Sequence, residues 1–100
     1  MKVEYLDQRM KDGSRLFVIT QDRISWAELR QHLERLYGVE ILQFITDGVV
    51  EGWLDFRYFG QQFSVNNPMG EYWFFVADPT CSSFPLSELM AHLRKWQPAA

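Results

Sequence analysis

Three groups of residues in this chain are of types that can do chemistry. Cys81, in "DPTCSS", stands just before a stretch that reads as a helix, and a thiol at a helix N-terminus can have a lowered pKa and act as a nucleophile. Such a nucleophile needs a base, and the candidates are His32 and His92. They occupy matching hexads, "ELRQHL" at 28–33 and "ELMAHL" at 88–93, each His four residues after a Glu. Glu–His pairs at that spacing are ordinary neighbours on one helix face, and neither hexad is the H-E-x-x-H zinc pattern. Glu40 and Asp55 form the third group, brought opposite one another by the hairpin register derived below. Paired acids share a proton or hold a hard cation. A cation site takes about six oxygens, however, and only Asn66 would join the pair, with Arg57 beside it as a competitor. The ordinary readings are a bystander thiol, two surface histidines and a solvated rim pair. No catalytic set, metal site or cofactor motif is assigned, and Gly38, Gly48, Gly52, Gly60 and Gly70 are too scattered to make a phosphate loop.

The chain that must position these residues has 100 of them, 47% hydrophobic and 23% charged. It reads as a single domain, 1–100, with one core. A lone cysteine rules out an internal disulfide framework and suggests a reducing compartment. No signal peptide or membrane span is recognisable, so the expectation is a cytoplasmic protein without a membrane role. Charge is unevenly spread. Residues 38–93 carry seven acids against Arg57 alone, a balance of 1 - 7 = -6. Phosphates are neutralised by clusters of Lys and Arg, so a nucleic-acid partner is not expected, and an acidic surface favours a basic partner or plain solubility.

The best local signal is Ser25-Trp26-Ala27-Glu28, a capping box opening a helix over about 25–37, with Trp26, Leu29, Leu33, Leu36 and Tyr37 at helical spacing and Gly38 as its stop. A strand at 15–20 precedes it and is expected to pair with one near 3–6 across the "KDGS" turn at 11–14. Strands follow at about 39–46, 50–59, 61–66 and 71–77, then a helix at 84–96 with Pro85 in its first turn and Leu86, Leu89, Met90, Leu93 and Trp96 as its apolar stripe. The fold class is α+β: a mainly antiparallel sheet of four to six strands with two amphipathic helices, in the order (β)βαββββα.

Two-residue turns set register. With Asp47-Gly48 and Gly60-Gln61 as loops, one sheet face gathers Val39, Ile41, Ile45, Val50, Leu54, Phe56, Tyr58, Phe63 and Val65, a core. The other gathers Glu40, Leu42, Phe44, Glu51, Trp53, Asp55, Arg57, Phe59, Gln62, Ser64 and Asn66. A bulge at Gly52 would shift the parity of what precedes it. The strand "YWFFV" adds either Trp73 and Phe75 or Tyr72 and Phe74 to this mixed face. At about 150–250 Å² per ring, two of these with Trp53 and Phe59 make a patch of roughly 600–1000 Å², against about 300–600 Å² for the largest patch on a typical monomer.

Something is therefore expected to cover the mixed face. One reading makes it the binding surface for a protein partner or for a homodimer, through Trp53, Arg57, Phe59, Trp73 and Phe75, residue types that include those of interface hot spots. A second lays the C-terminal helix over it, with Arg57 paired to Asp55. A third, from a different class, is a small-molecule or enzymatic site in an aromatic pocket between that helix and the sheet, with Arg57, Cys81 or His92 as polar groups. The first reading, a non-enzymatic interaction module, is the one adopted from the sequence.

Overall fold

A computed structural model describes residues 1–21, 24–47, 51–68 and 70–98. The elements run β1 (Val3–Arg9), β2 (Arg15–Thr20), α1 (Trp26–Glu34), β3 (Glu40–Thr46), β4 (Gly52–Tyr58), β5 (Gln61–Asn66), β6 (Tyr72–Val76) and α2 (Ser83–Arg94). All six strands join one antiparallel sheet in the order β1-β2-β6-β5-β4-β3. The expected α+β class and element order hold.

Helix α1 begins as its sequence dictates. The Ser25 hydroxyl accepts from the Glu28 N–H at 3.1 Å, and Glu28 accepts from the Ser25 N–H at 3.2 Å. It ends three residues early, at Glu34 with Arg35 as C-cap. Gly38, at φ +95, closes the turn that follows and is not the helix stop.

Both helices lie on one face of the sheet. Leu29 and Leu33 of α1 and Leu86, Leu89 and Leu93 of α2 share a single buried cluster with Phe17, Leu54, Phe56, Phe63, Val65, Phe74 and Val76. Alternation along a strand then sends Trp53, Asp55 and Arg57 of β4, Ser64 and Asn66 of β5, and Trp73 and Phe75 of β6 to the opposite face. The two-layer arrangement leaves that face without a helix.

Two registers differ from expectation. Tyr58 pairs with Gln61 and Phe56 with Phe63, so the β4–β5 loop is Phe59-Gly60 and not Gly60-Gln61. Both loop residues have positive φ, +55 and +77, the signature of a type I′ turn, whose twist matches that of the strands. The slip of two leaves face parity intact and stacks Phe56 on Phe63, ring centroids 5.1 Å apart. It also takes Phe59 out of the strand.

In β3 the irregularity is at Leu42, between the Ile41–Phe56 and Gln43–Asp55 pairs, and not at Gly52. The extra residue inverts everything after it. Phe44 turns inward to Trp26, and Ile45 turns outward beside Trp53, 56% exposed. Glu40, before the bulge, pairs with Arg57, not Asp55. The β3–β4 connection is longer than the expected Asp47-Gly48 pair, since Thr46 pairs with Gly52 and the Asp47 N–H reaches the Glu51 carbonyl. Gly48 and Val50 lie outside the described residues. A further bulge in β2 opposes Phe17 and Val18 to Phe74, while Leu16 pairs with Phe75. Leu16 thus faces away from the helices and is nevertheless 1% exposed.

Candidate functional site

The helix-free face is the surface the sequence left open, and its geometry is specific. The Trp53 indole N–H donates to Asp55 Oδ1 at 2.8 Å, and the Ser64 hydroxyl donates to the same oxygen at 2.7 Å. Asp55 thus fixes the indole and is itself fixed by the neighbouring strand. At the β1–β2 turn, where Gly13 at φ +91 allows the chain to reverse, the Ser14 N–H and hydroxyl both donate to Asp12 Oδ1, at 2.9 and 2.6 Å. These bonds, the hydroxyl's foremost, hold the Asp12 carboxyl below the usual carboxylate range, so it stays ionised.

This turn lies beside the sheet face, and a groove of about 390 Å³ is lined by Met10, Asp12, Ser14, Trp53, Ser64, Asn66, Phe75 and Ala77. Two aromatic walls, one acid and a set of small polar groups can bind a ligand. The groove's two hydroxyls both donate to carboxylates, Ser14 to Asp12 and Ser64 to Asp55.

The five proposed contact residues divide four to one. Trp53 and Arg57 of β4 and Trp73 and Phe75 of β6 share the helix-free face, and Trp53 and Phe75 line its groove. Trp73 and Phe75 are half-buried, Trp53 is 41% exposed, and the Trp73 indole N–H donates to Glu71 at 3.5 Å. Phe59 does not belong to this face. Its ring packs at 5.0 Å from that of Phe84 on α2, at the end of the sheet. Arg57 pairs with Glu40 at 3.3 Å, not with Asp55. With Phe59 elsewhere and Trp73 and Phe75 half-buried, the exposed apolar patch is smaller than the sequence suggested.

The other chemical groups resolve differently. Burial, with Asp78 adding to it, pushes the Cys81 thiol up, the opposite of an activated nucleophile. Glu40 and Asp55 are not partners, and among the described residues no three His, Cys, Asp or Glu gather as a metal site. The space between α2 and the sheet is filled by the leucines of the core, so the groove lies on the other face from the pocket envisaged there.

Sequence reasoning missed the histidines' relationship. The two rings stack at 4.0 Å, and each Nε2 meets the other's backbone carbonyl, His32 to His92 O at 2.6 Å and His92 to His32 O at 2.5 Å. The matching hexads were the available signal: two helices carrying His at the same place beside the apolar stripe present it to each other where their last turns meet.

Comparison with protein-family models, with curated proteins and with solved structures finds no match. Among the described residues no helix is long and apolar enough to cross a membrane.

Proposed function

We propose that the chain is a cytoplasmic, non-enzymatic interaction module whose helix-free sheet face binds another protein. One observation carries the reading: both helices pack on one side of the sheet, leaving Trp53, Trp73, Phe75 and the outward-turned Ile45 on a face that no helix covers and that the β1–β2 turn covers in part. A standard interface buries roughly 800 Å² per partner, more than these partly buried rings expose. They form an apolar centre, and Arg57, Glu40, Gln62 and Gln43 surround it with the polar groups typical of a rim. The pinned Trp53 indole supports the reading, because an anchor held in place before binding loses little entropy on docking.

The test uses a photo-crosslinking residue at Phe75 on the face, with Ser87 on the exposed side of α2 as control, together with sedimentation over a range of concentrations. Crosslinked species from position 75 and not from 87 are expected. Self-association, if it is the mode, should weaken in Trp53→Ala and Arg57→Glu. Equal crosslinking from both positions, or a monomer without adducts at 75, would end the proposal.

A further inference from the structure

The groove's lining indicates which chemistry it would accept, and this inference rests on the reading of the face as an interaction surface. We propose that the groove seats the ammonium group of a lysine from a basic segment of a partner protein. The lining includes one acid, Asp12, kept ionised by Ser14, and no base. Arg57, the one cation in residues 38–93, is paired with Glu40. An anionic ligand would meet the Asp12 carboxylate and no cation among the lining residues.

A lysine finds a partner for each of its parts. Trp53 provides an indole, the ring type that best attracts a cation over its face, and its orientation is set by Asp55. Phe75 and Met10 line the same groove and suit the four-carbon stem, which lysines commonly lay along apolar surface. The ammonium has three N–H donors, and the groove has acceptors for them. Asp12 supplies charge, and the Ser14 and Ser64 hydroxyls, which donate to carboxylates, keep oxygen lone pairs that accept from a further donor. At about 390 Å³ the groove falls in the range of ordinary ligand pockets.

The experiment titrates the intact chain with three short blocked peptides that differ at one residue: lysine, norleucine with the same stem and no charge, and glutamate. The readout is the NMR signal of the Trp53 indole N–H, assigned by its loss in Trp53→Phe. The lysine peptide should shift that signal and those of Ser64 and Asn66, and the glutamate peptide should not. Asp12→Asn keeps the turn's acceptor and removes the charge, and should weaken binding about two- to fivefold, the effect of an exposed ion pair. Asp78→Asn removes an equal charge outside the groove and should leave affinity unchanged.

Equal binding of norleucine and lysine would overturn the cationic occupant while leaving an apolar docking face in place. No shift with any peptide would overturn the groove's assignment, and the crosslinking at Phe75 then decides separately whether the face binds protein. Shifts that appear with protein concentration alone would assign the groove to a second copy and overturn the basic-segment inference.

Discussion

His32 and His92 exchange hydrogen bonds in both directions across the α1–α2 contact, ring nitrogen to main-chain carbonyl. A carbonyl only accepts, so each Nε2 carries its proton and donates. His32 is 5% exposed, and its Nδ1 is buried without a partner. The stacked rings, the Arg35 side chain and the Met1 ammonium all oppose a positive charge there, and Glu28 and Glu88 are the acids one turn earlier on the two helices.

Stability should therefore fall with acid in a defined direction. Burial foremost, with His92, Arg35 and the N-terminal ammonium, holds the His32 pKa below its ordinary 6.5. The unfolded chain then takes up the proton first. The contribution of this group is complete above about pH 6.5 and is lost as pH falls toward and through the folded-state value. Denaturant unfolding at a series of pH values should show the decline, and His32→Gln should flatten it. A stability that rises from neutral pH toward about pH 5.5 would contradict a neutral His32.

Gly52 should not tolerate a methyl group. A Cβ there would come within 2.5 Å of Cε2 and 2.7 Å of Nε1 of Trp26. Trp26 is 7% exposed and held between Tyr72 and Phe44, with ring centroids 4.8 and 6.1 Å away, so the indole has little room to yield. Gly52→Ala should cost about 1–3 kcal/mol as an overpacking change, read as a lower unfolding midpoint.

Phe59 occupies the left-handed region at φ +55, a position in a type I′ turn where Asn is preferred. A bulky residue there stores on the order of 1 kcal/mol of strain or more. Its ring is 64% exposed, and the Phe84 ring it meets is 50% exposed, so the contact returns little. Phe59→Asn should raise the melting temperature. A drop would show that the ring pair contributes more than its exposure suggests.

Core and face should separate in stability measurements. Phe63→Ala removes a ring that is 0% exposed, stacked on Phe56 and edge-on to Phe17, and should cost about 3–5 kcal/mol. Trp53→Ala should cost less than half of that, since the indole is 41% exposed and its loss opens no internal cavity. Comparable losses for the two variants would mean that Trp53 is structural, which would remove the anchor from the proposed interface.

The sequence made much of this architecture legible, for identifiable reasons. The Ser25–Glu28 box marked α1 and helical apolar spacing marked both helices, and alternation in β4 and β5 marked their inner faces, while β6, apolar on both sides, left its parity open. Parity survived the misplaced β4–β5 turn because a two-residue slip keeps the pleat in phase. It failed in β3, where "EILQFIT" is apolar on both faces and nothing local announces that Leu42 is the extra residue. The β3–β4 connection, longer than two residues, acts together with this bulge to set Glu40 opposite Arg57 and not Asp55. The groove was invisible for another reason. It depends on the β1–β2 turn lying beside β4 and β6, a long-range placement that no spacing encodes. The histidine pair was partly readable, as a repeated hexad whose meaning needs the helix crossing.

The ladder between Arg15–Thr20 and Tyr72–Val76 also bears on how the chain acquires its shape. Consecutive strands from β3 through β6 pair with their sequence neighbours and can zip up locally, as can the β1–β2 hairpin. Joining the two subunits of the sheet requires closing the whole intervening chain, with the loop entropy that implies. During synthesis, the buried residues of β2 have no long-range strand partner until β6 has emerged, so this seam is where assembly should be slowest and where a chaperone would have the longest opportunity to bind.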